Sequence, residues 1–199
     1  MESKVLYPGI MVFYNIISEE ISKNIMESFE REKKSNSPNI IPSKVYTKDG
    51  YEIDDTDQLL AESWIGFSND ARNCKLDTDL FDSLNKALQI YSKKYDNISH
   101  ELTDTGYLIK KYSPGGYFNW HDDQGSNNIS RCLSVIWYLN DNYQNGELQF
   151  KYLDLKIKPE QNMMVIFPSH FIYTHRGCLV KSGNKYIVTT FMIKNPPLS

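Results

Sequence analysis

The strongest constraint on the fold is a change of periodicity near Gly106. From there onward, short runs rich in β-branched and aromatic residues are separated by turn residues, which is the pattern of short strands. The strand-like runs read GYLIKKY, RCLSVIWYL, ELQFKYL, MMVIF and KYIVTTFMI. The preceding part instead contains apolar residues at helical spacing. Many short strands after a helical half predict an α+β fold, a two-sheet sandwich or jelly roll braced by helices on one face.

The part before Gly106 predicts one strand and two supporting helices. GIMVFYNII has strand composition, and Ser18 can cap a helix that begins with Glu19 and Glu20. A second helix is predicted from about Asp77. The predicted apolar stripes are Ile21, Ile25 and Phe29 in the first helix, and Leu80, Leu84, Leu88, Tyr91 and Tyr95 in the second.

The length of 199 residues predicts a single domain. We expect residues 1–104 to form strand and helical support, and residues 105–193 to form the jelly-roll core. Residues 33–58 are mostly polar and are interrupted by prolines, so a mobile loop is predicted there. Asn145-Gly146 lies between two strand-like runs and predicts a tight hairpin turn.

Composition excludes several classes of protein. The net charge is -3, with 22 basic and 25 acidic residues interspersed, which argues against a nucleic-acid partner. Cys74, Cys132 and Cys178 are widely spaced and odd in number, which argues against a disulfide framework or a zinc ribbon. The first apolar run is too short to span a bilayer and lacks a cleavage site for a signal peptidase. We therefore expect a cytoplasmic protein that needs no membrane and can act as a monomer.

Residues that bind metals are concentrated in two motifs. His121 stands two positions before Asp123 in FNWHDDQ, and either His170 or His175 in FPSHFIYTHRG can supply a third ligand. Two imidazoles and one carboxylate on one face of an ion leave coordination positions open, as in non-haem Fe(II) oxygenases. Lys185, at the start of the last predicted strand, is a candidate cation for the second carboxylate of a chelating keto acid.

The order of these motifs resembles that of prolyl 4-hydroxylase-like 2-oxoglutarate- and Fe(II)-dependent dioxygenases. The resemblance rests on YSPGGYFNWHDD, RCLSVIWYLND, NGELQF, FPS and HRGCLVKSGNKY, and covers about residues 105–193. It implies a double-stranded β-helix of mostly antiparallel strands. It also implies that His121, Asp123 and His175 bind Fe(II). Lys185 would bind the distal carboxylate of 2-oxoglutarate.

The same resemblance implies roles for further side chains. Strict alternation puts Arg131 and Tyr138, seven residues apart, on opposite faces of one strand, so a role for Arg131 requires a bulge or a twisted strand start. Asp122 and His170 are left without a role. The implied roles are cosubstrate binding for Tyr138, Tyr112 and Thr189, an apolar shell for Ile136, Val188 and Met192, and substrate contacts for Arg131, Trp120 and Phe191.

The activity that the resemblance implies is hydroxylation of a C–H bond, most closely 4-hydroxylation of peptidyl proline, with succinate and CO2 as coproducts. Fe(II) would be the cofactor, 2-oxoglutarate and O2 the cosubstrates and ascorbate the reductant. A peptide or protein substrate is expected, with the loop at 33–58 as a lid.

Three alternatives remain open at this point. The same chemistry can act on a free amino acid or another small molecule. It can also act on a nucleic-acid base, although such enzymes usually have an arginine six residues after the first basic residue, where this chain has Phe191. The third alternative is a non-catalytic metal-binding jelly roll.

Overall fold

The computed structural model describes residues 2–42, 45–46, 52–53, 60–95, 102–125 and 128–194. Its α-helices are α1 (Glu19–Lys34) and α2 (Cys74–Lys94). Its strands are β1 (Glu2–Tyr7), β2 (Ile10–Tyr14), β3 (Ile40–Pro42), β4 (Val45–Tyr46), β5 (Glu52–Ile53), β6 (Ala61–Trp64), β7 (Leu102–Asp104), β8 (Leu108–Tyr112), β9 (Phe118–His121), β10 (Arg131–Tyr138), β11 (Gln144–Asn145), β12 (Leu148–Phe150), β13 (Leu155–Ile157), β14 (Met163–Pro168), β15 (His175–Gly177), β16 (Val180–Ser182) and β17 (Lys185–Lys194).

The larger of two facing sheets contains nine strands. Its order is β1-β2-β14-β10-β17-β8-β6-β3, with β7 also paired to β17, and its strand pairs are antiparallel. The central strands β10, β14 and β17 are buried over most of their length. They are covered on both faces, which explains why apolar residues occupy consecutive positions in them.

The smaller sheet has the order β13-β12-β15-β9 and is also antiparallel. An apolar cluster joins residues of the large sheet, such as Ile136 and Phe167, to residues of the small sheet, such as Leu148 and Phe150. Two antiparallel sheets that enclose a core form a double-stranded β-helix, so the predicted α+β jelly-roll fold is confirmed.

The two helices cover the other face of the large sheet. Helix α1 begins as predicted, because the Ser18 hydroxyl accepts a hydrogen bond from the Ile21 amide at 3.2 Å. The stripe of α1 packs inward through Ile25 and Phe29, which are both fully buried. A second apolar cluster forms between the helices and the sheet, and its members include Ile25, Phe29, Leu80, Leu84, Tyr91, Trp64, Trp137 and Val188.

Two local predictions require correction. Helix α2 begins at Cys74 rather than at Asp77, because two short 3-10 turns lead directly into it.

Asn145 and Gly146 do adopt the left-handed backbone conformation, with φ of 64° and 73°. The hairpin prediction is nevertheless wrong, because β11 pairs with β16 and β12 pairs with β13 and β15. The Asn-Gly turn therefore transfers the chain between sheets instead of joining two neighbours.

The predicted loop at 33–58 is only partly described. Lys33 and Lys34 still belong to α1, and β3 pairs with β6, so residues 40–42 are part of the large sheet. Positions 43–44, 47–51 and 54–59 lie outside the described residues, and with them part of the proposed lid. Among the residues described, neither helix combines the length and the apolar sequence needed to cross a bilayer.

Candidate metal centre and cosubstrate pocket

Two histidines meet because their strands pair. His121 ends β9, His175 begins β15, and the two residues are direct partners in the antiparallel register. Asp123 follows two residues after β9, and its amide donates to the Ser169 carbonyl at 3.2 Å. Nε2 of His121 lies 3.4 Å from Oδ1 of Asp123, and Nε2 of His175 lies 3.6 Å from Oδ2. All three ligand atoms lie within 4.8 Å of one another.

Backbone carbonyls fix the orientation of both imidazoles. Nδ1 of His121 is 2.8 Å from the carbonyl oxygen of Asn119. Nδ1 of His175 is 3.1 Å from the carbonyl oxygen of Tyr173. A ring nitrogen that donates to a carbonyl carries the proton, so Nε2 keeps its lone pair in both rings. Both lone pairs are then available to one ion beside Asp123.

The carboxylate of Asp123 is held by a serine that the sequence did not single out. The Ser134 hydroxyl donates to Oδ2 of Asp123 at 2.6 Å and lies 2.9 Å from the Ser169 hydroxyl. Burial works to raise the pKa of Asp123, but the two imidazoles and the Ser134 hydroxyl together hold that pKa well below its usual range. Asp123 is therefore a carboxylate at neutral pH.

Burial also controls the protonation of His175. It lowers the pKa of His175 to about 4, and the neighbouring His121 contributes in the same direction. His175 is therefore a neutral imidazole at neutral pH. A neutral imidazole beside a carboxylate is the state that binds a divalent cation, because metal ligands must be deprotonated.

A buried lysine lies between two tyrosines elsewhere in the same cavity. Lys185 is only 4% exposed and is the direct register partner of Tyr112. Its Nζ lies 5.6 Å from the ring centroid of Tyr112 and 5.3 Å from that of Tyr138, and it donates to the Gly146 carbonyl at 2.6 Å. Burial lowers the pKa of Lys185 to about 8 and raises the pKa of both tyrosines. One ammonium and two protonated phenols can thus donate to an anion here.

A single cavity connects the triad to Lys185. Alternation along the strands determines which side chains enter it, and Thr189, four residues after Lys185 on β17, lies on the cavity side. The apolar-shell prediction is correct for Ile136 but wrong for Val188 and Met192, which belong to the cluster on the helix side. The side chains of β8, β10 and β17 that line the cavity include Lys110, Tyr112, Ser134, Ile136, Tyr138, Lys185, Ile187, Thr189 and Phe191.

Arg131 lies beside the metal centre because β10 starts with an irregularity. The register between β10 and β17 shifts between Arg131 and Leu133, which is the bulge that the sequence argument required. Its guanidinium stacks on the Phe191 ring at 3.6 Å, and Nη1 donates to the backbone carbonyl of Asp123 at 3.2 Å. Arg131 and Phe191 thus form one wall next to the triad.

Trp120 does not face the cavity, so its predicted substrate contact is not supported. It neighbours His121 on β9, and successive residues of a strand point to opposite faces. The Trp120 ring instead lies under the guanidinium of Arg176, at 4.5 Å, and Arg176 in turn donates to Gln149. These three side chains cover the outer face of the small sheet.

Sequence analysis missed two polar residues of the cavity. Ser134 is four positions before Tyr138, and Lys110 is two positions before Tyr112. Even spacing along a strand puts each of them on the same face as its tyrosine. The spacing therefore placed both residues with the tyrosines, but it identifies cavity residues only when it is known which face of each strand points into the cavity.

The triad fits a divalent metal ion. An ion bound at about 2.1 Å by adjacent ligands at right angles requires ligand atoms about 3 Å apart. The separations of 3.4 and 3.6 Å are close to that value. The fold and the site together define the class, a double-stranded β-helix with a cluster of two histidines and one carboxylate and a separate buried lysine in the same cavity.

Comparison with known proteins shows similarity to one family over part of the chain. Residues 107–193 match the family model of the 2OG-Fe(II) oxygenase superfamily. A protein of Acanthamoeba polyphaga mimivirus with a provisional assignment as a prolyl 4-hydroxylase is 29% identical, over 40% of this chain and only 40% of that relative's length. The resemblance to prolyl 4-hydroxylase-like 2-oxoglutarate- and Fe(II)-dependent oxygenases is thus confirmed.

Solved structures share the fold at low sequence identity. A prolyl hydroxylase from Trichoplax adhaerens, in complex with a peptide fragment of the hypoxia inducible factor oxygen degradation domain, has a TM-score of 0.71 and 18% identity, covering 94% of this chain and 84% of that one. A viral collagen prolyl hydroxylase from Paramecium Bursaria Chlorella virus-1, in complex with 2OG, has a TM-score of 0.62 and 15% identity, covering 94% and 97%.

Proposed function

We propose that the protein hydroxylates prolyl residues of a peptide or protein in a reaction that depends on Fe(II) and 2-oxoglutarate. The observation that carries this proposal is the presence of the His121, Asp123 and His175 ligand atoms and the Lys185 ammonium in one cavity. When bound, the iron with 2-oxoglutarate and O2 supplies the oxidant for a C–H bond, with succinate and CO2 as coproducts. Ascorbate is the proposed reductant.

The side chains of this chain have separate roles in that proposal. His121, Asp123 and His175 would hold the metal, which would supply the redox chemistry with the cosubstrates. Lys185 exchanges its hydrogen bond to the Gly146 carbonyl for one to the distal carboxylate of 2-oxoglutarate. Tyr112 and Tyr138, on either side of this ammonium, exclude water from the ion pair. The Thr189 hydroxyl lies on the same wall of the cavity.

A peptide substrate is the favoured choice for two reasons. The Trichoplax adhaerens neighbour is a prolyl hydroxylase bound to a peptide fragment, and the viral relative carries a prolyl 4-hydroxylase assignment. In addition, the stacked pair Arg131 and Phe191 offers a guanidinium and an apolar ring beside the triad. A guanidinium can donate to peptide carbonyl oxygens while the ring packs against a pyrrolidine.

The proposal is tested by incubating the purified protein with Fe(II), 2-oxoglutarate and ascorbate, with and without a library of proline-containing peptides. We expect succinate formation that increases with the accepted peptides, together with a mass gain of one oxygen on proline. Omission of ascorbate should shorten the productive phase. Hydroxylation of a free amino acid or a base in place of peptides would contradict the substrate assignment. Tight metal binding without succinate under any condition would identify a non-catalytic module.

A further inference from the structure

A second lysine in the cavity has no role in the chemistry described so far. Lys110 lies on β8, where Ile187 is its register partner on β17, and its side chain lines the cavity together with Asp123 and His175. Its Nζ is 4.6 Å from the centroid of the Phe118 ring. Within the described part of the chain, Lys110 forms neither a hydrogen bond nor an ion pair. Its ammonium is therefore available to a ligand.

The neighbouring lysine shows what a structural lysine looks like on this strand. Lys111 points to the helix side, where its Nζ donates to Glu30 at 2.7 Å. The same carboxylate oxygen of Glu30 accepts from the Tyr186 hydroxyl at 2.6 Å. A partly buried lysine without such a carboxylate is unfavourable, because the charge is removed from water and gains no partner. Lys110 thus differs from Lys111 in having no carboxylate partner among the residues that the structure describes.

The charges of the loaded cavity indicate which partner Lys110 needs. Among the lining side chains, Lys110 and Lys185 are basic and Asp123 is acidic. A ferrous ion and the 2-oxoglutarate dianion neutralise each other, and Asp123 offsets one of the two lysines. Among the lining side chains, one positive charge remains after the metal and the cosubstrate are in place, and the guanidinium of Arg131, which contacts the Asp123 backbone, adds to it. Since Lys185 is the lysine enclosed by the two tyrosines, the uncompensated charge is that of Lys110.

We propose that Lys110 is a specificity-determining residue that binds a carboxylate of the primary substrate close to the carbon that is hydroxylated. This inference rests on the proposed function. The carboxylate can belong to an acidic side chain next to the target residue or to the free C-terminal end of a short substrate. Phe191 and Lys110 line the cavity, and Arg131 stacks on the Phe191 ring and donates to the Asp123 carbonyl, so Lys110 adds a second positive charge near the triad.

The test measures binding rather than turnover. Mn(II) replaces Fe(II), and N-oxalylglycine, an unreactive analogue, replaces 2-oxoglutarate. The probes are acetyl-Gly-Ala-Pro-Asp-Gly-amide, the same peptide with Ala or Lys in place of Asp, acetyl-Gly-Ala-Pro with a free or an amidated end, and free proline. We expect the wild type to prefer the Asp peptide or the free-acid peptide over its neutral partner by about tenfold, the usual contribution of a hydrogen bond to a charged group. Which pair shows the preference identifies the source of the carboxylate.

Three variants of the chain connect this preference to Lys110. Lys110→Met should remove the preference, Lys110→Arg should retain it, and the matched control Lys111→Met should retain it as well. The proposal is overturned if the wild type binds no probe or shows no preference for carboxylates, or if the preference survives in Lys110→Met. It is also overturned if Lys110→Met weakens N-oxalylglycine and leaves the peptide ratio unchanged. Failure of the wild type to bind Mn(II) and N-oxalylglycine would instead contradict the proposed function.

Discussion

The two faces of the central strands β10 and β17 differ in the polarity of their side chains and in what those side chains contact. On the helix side, the side chains are apolar and almost completely buried, as in Leu133, Trp137 and Val188 at 4%, 0% and 0% exposure. On the cavity side, polar groups alternate with them, including Ser134, Tyr138, Lys185 and Thr189. Neighbouring residues of one strand therefore belong to different environments.

Stability and chemistry therefore depend on different side chains of the same strands. The apolar face packs against α1 and α2, so its loss removes buried area and leaves cavities. The polar face holds charges and hydrogen bonds in a buried setting, where each group needs a partner. Substitutions on the two faces should accordingly give different measurable defects.

The largest effect is expected at the metal ligand Asp123. Asp123→Ala removes the only carboxylate of the triad, and succinate formation should fall below about 1% of the wild-type rate, since even an outer partner of a metal ligand contributes roughly 10- to 100-fold. The measurement is 2-oxoglutarate-dependent succinate release with saturating Fe(II). The matched control is Asp122→Ala, because Asp122 is not one of the three candidate ligands and, among the described residues, accepts from the Gly125 amide at 2.8 Å. Near-normal turnover in Asp123→Ala would refute the ligand assignment.

The next largest effect concerns the lysine at the other end of the cavity. Lys185→Met should raise the dissociation constant for 2-oxoglutarate by about 10- to 100-fold, because a hydrogen bond to a charged partner is lost. Isothermal titration with Mn(II) present measures this constant without turnover. Lys185→Arg keeps the charge and should lose less affinity. Equal affinities of wild type and Lys185→Met would show that the distal carboxylate binds elsewhere.

A pair of adjacent substitutions on β10 compares the two faces directly. Ser134→Ala removes the hydrogen bond to Asp123 and should weaken metal binding by roughly 10- to 100-fold. Leu133→Ala creates a cavity on the helix side and should lower the free energy of unfolding by about 2–5 kcal/mol. Metal titration and urea unfolding of both variants provide the comparison. If Ser134→Ala mainly lowered stability and Leu133→Ala mainly weakened metal binding, the two faces would not act independently.

The smallest effect is a pH dependence of cosubstrate binding. Burial lowers the pKa of Lys185 to about 8, so the ammonium is present below that pH and is lost as the pH rises through it. The apparent dissociation constant for 2-oxoglutarate, measured without peptide, should increase by about tenfold from pH 7 to pH 9. Lys185→Arg should give a flat profile, because a guanidinium stays protonated in this range. A pH-independent wild type would argue against an ionic role of Lys185.

Much of the fold follows from local patterns in the sequence. The apolar spacing in α1 and the cap at Ser18 involve residues within a few turns of one another, so both were predictable. The runs that became β8, β10, β14 and β17 were also recognisable. The strand pairing around Asn145-Gly146, where the predicted hairpin does not form, was not predictable in the same way. The backbone conformation of the turn is local, but the pairing of the flanking strands depends on partners far along the chain.

The candidate site shows the same division. The sequence alone determined the strand alternation, the cap of α1 and the set of chemical groups that a metal and an organic dianion require. Only the tertiary structure decided that His175 faces His121, that Trp120 points away, that a bulge brings in Arg131 and that Lys110 enters the cavity with no hydrogen-bond or ion-pair partner among the residues that the structure describes. The reason is physical. Periodicity is set by backbone geometry within one element, whereas convergence depends on long-range strand pairing, which the burial of distant apolar residues selects.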